Sequence, residues 1–163
     1  MKTLLLLRHA KSSWKDAARA DHDRPLNKRG KAEALRVGQW LRQQSLVPDL
    51  ILASTAKRAR RTAERVAEAS GYAGEVQREA DLYPGDPEDY LDALQGVADE
   101  YDCVLVVGHN PGLEEFLELL TRSQELMPTA ALAHISLPIE HWQQLTSMTK
   151  GLLVNLWRPR DEA

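Results

Sequence analysis

The sequence predicts an α/β fold, a three-layer α/β/α sandwich with a mainly parallel central sheet. Short apolar segments alternate with amphipathic stretches of about 10 or more residues, the pattern of strands joined by crossover helices. Two segments, 3–7 and 104–107, are continuous apolar runs, as is typical of strands buried on both faces. The last two predicted strands of the chain, residues 133–137 and 152–157, are separated only by a turn of helix near Trp142. We therefore expect an antiparallel element at one edge of the sheet.

The first predicted strand, residues 3–7, is followed by a polar stretch and then by a helix. Asn27 can cap this helix because its side chain can accept a hydrogen bond from the first helical turn. The helix is expected to run to about Gln44, and Pro48 prevents its continuation. Its predicted buried face consists of Ala34, Val37, Trp40 and Leu41.

A second strand is predicted at residues 50–53. Ser54 or Thr55 is then the expected N-cap of a helix that ends near Ser70, where Gly71 provides the C-cap.

Residues 76–83 predict an edge strand, and the turn at 84–87 places Pro87 at the first position of a helix. The run at 104–107 is the clearest strand of the chain, and residues 111–112 mark the start of the helix after it. The predicted buried faces contain Tyr90, Leu91, Leu94 and Val97 in the first of these helices and Leu113, Phe116, Leu117 and Leu120 in the second.

The length and the hydrophobic content of the chain are typical of a single domain. With 163 residues, 43% of them hydrophobic, it can fill one core, so we expect a single domain over residues 1–163. A net charge of -3 and a pI of about 6.0 do not favour binding to nucleic acid or to an anionic membrane. The single cysteine, Cys103, can form no intrachain disulfide, which fits a reducing cytoplasm.

The sequence predicts neither a targeting segment nor a membrane span. The leucine run that follows Thr3 is interrupted by Arg8. A secretory leader needs about 7 to 15 apolar residues, and a membrane helix needs about 20. We therefore expect a soluble protein of the cytoplasm.

Three polar segments each begin where a predicted strand ends. They are residues 8–10 (Arg-His-Ala), the cationic run 54–63, and residues 108–110 (Gly-His-Asn). An open α/β sheet binds its ligands beyond the carboxyl ends of its strands. His9 and His109 therefore share one pocket if the first and fourth strands are neighbours.

These segments resemble the motifs of the histidine phosphatase superfamily, which has the phosphoglycerate mutase-like fold. The opening Arg-His-Ala-Lys-Ser-Ser-Trp of residues 8–14, the Arg-Pro-Leu of residues 24–26 and the Arg-Gly of residues 29–30 are most similar to the SixA type of phosphohistidine phosphatase. The resemblance extends over residues 3–158. It implies the fold class predicted above and a phosphatase activity.

The resemblance also implies roles for four residues. His9 is the expected nucleophile, and His109 completes the pocket. Arg8 and Arg58 would hold phosphate oxygens. Arg58 lies four residues after Ser54, the spacing at which this family places its second phosphate ligand. The chemistry agrees, since a neutral imidazole can attack phosphorus to form a phosphohistidine. Guanidinium forks suit the charge that spreads over the phosphoryl oxygens.

Three further residues are predicted to contact the substrate. Arg24 lies in the long first loop, where it either reaches over the phosphate or pairs with its acidic neighbours. Asn110 follows the second histidine directly, and Thr129 lies in a segment that resembles one near the site in this family. Residues 12–14 are expected at the pocket mouth.

A general acid is the part that the motifs do not supply. Family members that cleave phosphoesters use a carboxylic acid to protonate the leaving alkoxide, which typically contributes about 10² to 10⁴ in rate. Asp81 is the first candidate and Glu79 the second, with Asp21 and Asp23 as outsiders. A site without a dedicated acid would favour phosphohistidine over phosphoesters, because a protonated imidazole is a far better leaving group than an alkoxide.

No cofactor or metal is expected. The five histidines are scattered, and the sequence has neither His-Glu-x-x-His nor paired cysteines at metal-binding spacing. A cysteine phosphatase is excluded as well, because the Cys-x5-Arg signature that begins at Cys103 would require arginine where His109 stands.

The leading hypothesis is a metal-independent phosphatase that acts through a covalent intermediate on His9. Its expected substrate is protein phosphohistidine in signal transduction, such as that of a histidine-containing phosphotransfer domain. The alternatives are a small-molecule phosphomonoesterase or mutase of the same superfamily, or a phosphate-binding module with weak catalysis. The expected partner is thus a phosphorylated protein or a small phosphorylated molecule. We expect binding neither to nucleic acid nor to a membrane.

Overall fold

The computed structural model describes residues 1–159, and the six strands within that range form one sheet. The strands are β1 (Lys2–Arg8), β2 (Leu50–Ser54), β3 (Val76–Glu79), β4 (Cys103–Gly108), β5 (Leu132–Leu137) and β6 (Leu152–Trp157). The α-helices in the same range are α1 (Lys28–Gln43), α2 (Lys57–Ser70), α3 (Pro87–Gln95) and α4 (Gly112–Thr121). Short 3₁₀ turns lie at Asp21–Asp23, Ala80–Leu82 and Trp142–Gln144.

The sheet is mainly parallel and has helices on both faces. Its strand order is β3-β2-β4-β1-β5-β6. The first four strands run parallel, whereas β5 is antiparallel to β1 and β6 is antiparallel to β5. Helices α1 and α2 pack on one face, and α3 and α4 pack on the other. The predicted three-layer fold with an antiparallel element is therefore confirmed.

The leucine run of β1 explains why this strand lies inside the sheet. Successive side chains of a strand point to opposite faces. Leu4 and Leu6 pack in the core under α3 and α4. Leu5 and Leu7 pack in the core under α1 and α2, and all four leucines are fully buried. Each such burial contributes about 1.5 to 3 kcal/mol, so the run fixes where the chain leaves the sheet.

The start of α1 ties the loop after β1 to the rest of the molecule. Asn27 Oδ1 accepts a hydrogen bond from the Gly30 N–H at 2.8 Å, so the predicted N-cap is confirmed. The Asn27 N–H donates to the Lys11 carbonyl oxygen at 3.0 Å. Gly30 lies against the same carbonyl, where a Cβ atom would collide.

Most other predicted helix boundaries and buried faces are also confirmed. Gly71 ends α2 in the left-handed backbone region, with φ at 82°. Pro87 is the first residue of α3. The predicted faces of α1 and α4 are buried, whereas Leu91 and Val97 of the α3 segment are only partly buried.

The predicted N-cap of α2 is wrong. The helix begins at Lys57, its N-cap is Ala56, and no side chain caps it. Ser54 is instead the last residue of β2, fully buried, and its Oγ accepts a hydrogen bond from the Ala56 N–H at 3.2 Å. Thr55 Oγ1 contacts His22 Nε2 at 2.9 Å.

The predicted edge strand at residues 76–83 is shorter in the structure. β3 lies at the sheet edge as expected, but it ends at Glu79. A 3₁₀ turn follows, because Leu82 packs fully buried into the core under α3 and α4 and the chain must fold over the sheet edge to place it there.

All six strands share one sheet, which supports the proposal that residues 1–163 are one domain; residues 160–163 lie outside the described range. Between residues 1 and 159, none of the helices has the length and apolar character needed to cross a membrane.

Candidate active site

The two motif histidines meet because their strands are neighbours. Arg8 at the end of β1 lies opposite Gly108 at the end of β4. The His9 N–H donates to the Gly108 carbonyl oxygen at 3.1 Å. The centroids of the His9 and His109 rings are consequently 5.0 Å apart.

Both rings line one cavity of about 440 Å³ at the carboxyl end of the sheet. Of the residues predicted for the site, this cavity brings together Arg8, His9, Arg24, Arg58, His109, Asn110 and Thr129. The remaining lining residues are Lys11, Ser12, Trp14, Asp21, Tyr83 and Pro84. The mouth thus includes Ser12 and Trp14, as the sequence predicted.

His9 is a buried, neutral imidazole. Its side chain is 7% exposed, and Nδ1 lies 2.9 Å from the Ala10 carbonyl oxygen. A carbonyl can only accept, so Nδ1 carries the hydrogen and Nε2 carries the lone pair. The pKa of His9 is lowered to about 3, mainly by burial; the bond to Ala10 partly opposes this shift, and the charges of His109, Arg58 and Arg8 contribute to it.

Thr62 links the segment of His9 to the helix of Arg58. Its Oγ1 accepts a hydrogen bond from the Ala10 N–H at 3.0 Å and donates to the Arg58 carbonyl oxygen at 2.7 Å. This fully buried threonine thereby fixes the end of β1 relative to the first turn of α2. Its position one helical turn after Arg58 is the signal that could have identified it from the sequence.

His109 is held at both its ring and its backbone. Its Nε2 lies 2.8 Å from Ser54 Oγ, and its backbone N–H donates to the Tyr90 hydroxyl at 3.1 Å. Gly108 permits this approach, because a Cβ atom there would collide with the Tyr90 hydroxyl. Burial, together with the charge of Arg58, lowers the pKa of His109 to about 4.

Arg58 is buried and oriented by the loop between β1 and α1. Its Nη1 donates to the Asp21 carbonyl oxygen at 2.8 Å, and its Nη2 donates to Asp21 Oδ2 at 3.1 Å. Its Nε is buried and has no hydrogen-bond partner in the part of the chain that the structure describes. An oxyanion in the cavity would satisfy this donor. On the other side of the histidines, Arg8 Nη1 donates to the Met127 carbonyl oxygen at 3.2 Å.

Asp21 is the acceptor on which three side chains converge. Tyr83 donates its hydroxyl hydrogen to Oδ2 at 2.6 Å, and Arg24 Nε donates to Oδ1 at 3.1 Å. The third donor is Arg58. The hydrogen bond from Tyr83, with those from Arg24 and Arg58, holds the pKa of Asp21 well below its usual range, so the group is a carboxylate at physiological pH.

Of the two alternatives that the sequence left open for Arg24, the structure shows the pairing with an acidic neighbour, and the contact with phosphate stays a prediction. Arg24 pairs with Asp21, and it also lines the cavity. Its Nη1 donates to Ser12 Oγ, and its guanidinium carbon lies 3.5 Å from the centroid of the Trp14 ring. A guanidinium so stacked and hydrogen-bonded has a fixed direction.

Asn110 and Thr129 lie on the side of the cavity formed by the segment before β5. Asn110 Nδ2 donates to the Met127 carbonyl oxygen at 2.8 Å, the same oxygen that Arg8 contacts. This shared acceptor joins the two strand-end motifs to the loop that contains Thr129.

The prediction of Asp81 as general acid is wrong. Asp81 is exposed and, with Glu79, lines a different cavity between the sheet edge and α3. The cause is the 3₁₀ turn, which buries Leu82 and leaves Asp81 outside. The carboxylate that does line the site is Asp21, which the sequence ranked among the outsiders. Asp23 is absent from the cavity wall within residues 1–159.

Tyr83 is a site residue that sequence reasoning missed. Its ring lies edge-on to His109, with centroids 5.5 Å apart, and its hydroxyl binds Asp21. The sequence placed Tyr83 only at the end of an edge strand. Its position beyond the carboxyl end of β3, directly before a Pro-Gly turn, is the signal that could have indicated a contact with the pocket.

We predict that the two buried histidines make folding stability depend on pH. In the unfolded chain they take up protons near pH 6.5, whereas in the folded protein they stay neutral to about pH 3 and 4. Stability should therefore fall as pH falls from 6.5, by up to about 1.4 kcal/mol per pH unit for each histidine. Urea unfolding from pH 7 to pH 5 measures this slope. A His9→Gln/His109→Gln variant should have a shallower slope, and equal slopes would contradict the prediction.

Comparison with known proteins identifies the family. The model of the histidine phosphatase superfamily (branch 1) matches residues 4–124. An uncharacterized protein of Mycobacterium tuberculosis is 34% identical over 147 residues, which cover 83% of this chain and 89% of the relative.

Solved structures show the same fold over nearly the whole chain. The candidate phosphohistidine phosphatase SixA from Nakamurella multipartitia has a TM-score of 0.84 and 30% identity, with coverage of 97% of this chain and 96% of that one. The corresponding SixA structure from Agrobacterium tumefaciens has a TM-score of 0.81 and 30% identity, with 97% and 98% coverage. Because the family model extends from β1 to the end of α4, and the mycobacterial relative is similar over most of both chains, this protein belongs to the histidine phosphatase superfamily (branch 1).

Proposed function

We propose that this protein is a phosphohistidine phosphatase that hydrolyses protein phosphohistidine through a covalent intermediate on His9. The observation that carries the proposal is the composition of one small cavity. A neutral buried imidazole faces guanidinium groups there, and the one carboxylate among its described lining residues, Asp21, is held ionised. Two solved structures similar to this chain are named as candidate phosphohistidine phosphatases, which supports the same substrate class.

In the first step, the Nε2 lone pair of His9 attacks phosphorus in line with the leaving group. The P–N bond of the substrate breaks, and its electron pair stays on the leaving imidazole. When that imidazole already carries a proton on its other nitrogen, it departs neutral and needs no proton from the protein. His9 retains its hydrogen on Nδ1, bound to the Ala10 carbonyl, and takes over the positive charge.

In the second step, water attacks the phosphoryl group on His9. The P–N bond to Nε2 breaks, the imidazole returns to its neutral form, and both protons of the water leave with dihydrogen phosphate. Neither step requires a general acid. This is why a pocket whose carboxylate stays ionised suits a phosphoramidate better than a phosphoester, in which the leaving alkoxide must be protonated.

The cations of the pocket supply the electrostatic part of catalysis. Arg8 and Arg58 would hold the equatorial phosphoryl oxygens, on which charge is spread in the transition state. His109 would donate a further hydrogen bond from its ring, with Ser54 fixing its orientation. Arg24, Asn110 and Thr129 would contact the substrate around this centre.

The reaction is proposed to need no metal and to take place in the cytoplasm. Phosphoryl transfer to a histidine needs a nucleophile, cations and water, so we propose that it proceeds without a metal. We assign it to the cytoplasm, in signal transduction, because the lone thiol of Cys103 suits a reducing compartment and protein phosphohistidine serves there as a signal.

A substrate panel with a chelator present tests this function. Purified protein is assayed with a phosphorylated histidine-containing phosphotransfer domain, p-nitrophenyl phosphate, phosphoglycerates and sugar phosphates. We expect kcat/KM on the phosphohistidine protein to exceed the values on the phosphoglycerates and sugar phosphates by about 10²-fold or more, the typical contribution of the general acid that these alkoxide leaving groups lack here.

Two results would overturn the proposal. A phosphoglycerate or sugar phosphate hydrolysed as efficiently as the phosphohistidine protein would indicate a small-molecule phosphomonoesterase or mutase. Complete loss of activity with the chelator, restored by added metal, would refute the metal-free mechanism.

A further inference from the structure

The residues of the cavity lie at two depths. His9, Arg58 and His109 form the floor and are 7%, 6% and 5% exposed. The Asp21 side chain is 50% exposed and Trp14 is 71% exposed, so both lie at the rim. In-line attack by His9 places the leaving group opposite the nucleophile, toward this rim. A leaving imidazole therefore departs past Asp21.

The charge distribution of the cavity makes Asp21 distinct. The other charged lining residues are cations: Lys11, Arg8, Arg24 and Arg58. Such a site attracts a phosphoryl group but repels a protonated imidazole. Asp21 is the anionic group among the described lining residues, and it lies at the rim of the cavity.

The hydrogen bonds of Asp21 leave it able to accept one more donor. A carboxylate has about four acceptor positions, two on each oxygen. Oδ2 accepts from Tyr83 and Arg58, whereas Oδ1 accepts from Arg24. One position on Oδ1 is thus available to an N–H donor at the half-exposed rim.

We propose that Asp21 is a specificity-determining residue whose Oδ1 accepts a hydrogen bond from the protonated ring nitrogen of substrate phosphohistidine. This inference rests on the proposed function and explains how the site selects its leaving group. The carboxylate stabilises the imidazolium form, in which the P–N bond breaks without further proton transfer. As the bond breaks, the positive charge passes from the substrate ring to the His9 ring, and the leaving imidazole keeps its N–H.

The same carboxylate disfavours the leaving groups of phosphoesters. A departing phenolate or alkoxide accumulates negative charge at the rim, where Asp21 repels it. Asp21 cannot protonate that oxygen, because three donors hold it in the ionised form. Its effect on the rate therefore has opposite signs for the two substrate classes.

An Asp21→Asn variant tests this inference with two small probes, N-phosphoimidazole and p-nitrophenyl phosphate. Asparagine keeps the size of the side chain and removes the charge. We expect kcat/KM on N-phosphoimidazole to fall by about 10-fold or more, which corresponds to a loss of about 1.4 kcal/mol, and kcat/KM on p-nitrophenyl phosphate to rise. The matched control is Asp23→Asn, which removes the same charge from a residue two positions along the chain. The Asp23 side chain is exposed and lies outside the cavity wall within the described residues. The control should alter neither rate.

The outcomes separate this inference from the proposed function. Equal loss on both probes would show that Asp21 only positions Arg24 and Arg58, and it would overturn the inference while leaving the function intact. A fall on p-nitrophenyl phosphate alone would show that Asp21 acts as an acid, and it would overturn the inference too. Wild-type protein that hydrolyses p-nitrophenyl phosphate but neither N-phosphoimidazole nor phosphohistidine protein would overturn the proposed function itself.

Discussion

Replacing His9 with alanine is expected to abolish the covalent phosphoenzyme and to lower kcat by roughly 10⁴-fold or more, as the loss of a nucleophile does in other enzymes with covalent intermediates. The reason is geometric as well as chemical. Because His9 Nδ1 is bound to the Ala10 carbonyl, the nucleophilic lone pair of the ring is on Nε2, and no backbone group can replace it. Rapid-quench experiments with ³²P-labelled phosphohistidine protein measure the labelled intermediate directly.

The matched control for this variant is His141→Gln. His141 is exposed, pairs with Asp99 and does not line the cavity within the described range. The His9→Ala variant should still bind inorganic phosphate, because Arg8 and Arg58 remain, and this binding verifies that the pocket is intact. Label that persists on the His9→Ala variant, or turnover in the wild type without any labelled intermediate, would contradict the prediction.

Replacing Arg58 with lysine should lower the rate of phosphoenzyme formation by roughly 10³-fold or more, by analogy with the arginine fingers of phosphoryl-transfer enzymes. Lysine keeps the charge but loses the planar fork. In the wild type, two nitrogens of Arg58 bind Asp21 while the buried Nε remains for an anion. Lysine carries its three donors on one nitrogen, so it cannot direct them both to Asp21 and to an anion as the separate guanidinium nitrogens do.

Arg61→Lys is the control on the same helix. Arg61 is half-exposed and pairs with Glu64 at 2.8 Å, so its replacement should leave phosphoenzyme formation unchanged. Single-turnover kinetics separate this step from release of phosphate. A loss of less than about 10-fold in Arg58→Lys would mean that charge alone suffices at this position, and the role of the fork would be wrong.

The parts of the fold that the sequence predicted best are those in which one local signal acts alone. The leucine run of β1 can be buried only in the middle of a sheet. Asn27 caps α1, as the preference of asparagine for that position predicts. The proximity of His9 and His109 could be predicted because parallel neighbouring strands end at the same edge.

The errors arose where a tertiary contact outweighs a local preference. Serine is a favoured N-cap, yet Ser54 is the last residue of β2, where it pairs with Glu79 of β3 and its hydroxyl contacts the His109 ring. Asp81 follows a strand, but the burial of Leu82 turns that segment away from the site. Asp21 was undervalued because the path of its loop is set by Arg58, Arg24 and Tyr83, contacts that no periodic pattern reveals.

The central position of β1 and β4 has a consequence for how the molecule fluctuates. Both strands have neighbours on each side, whereas β3 and β6 form the two margins of the sheet. Fraying of a marginal strand leaves the ladder between β1 and β4 intact. Opening of that inner ladder requires near-global unfolding, so the distance between His9 and His109 should persist through the small breathing motions that expose the margins of the sheet.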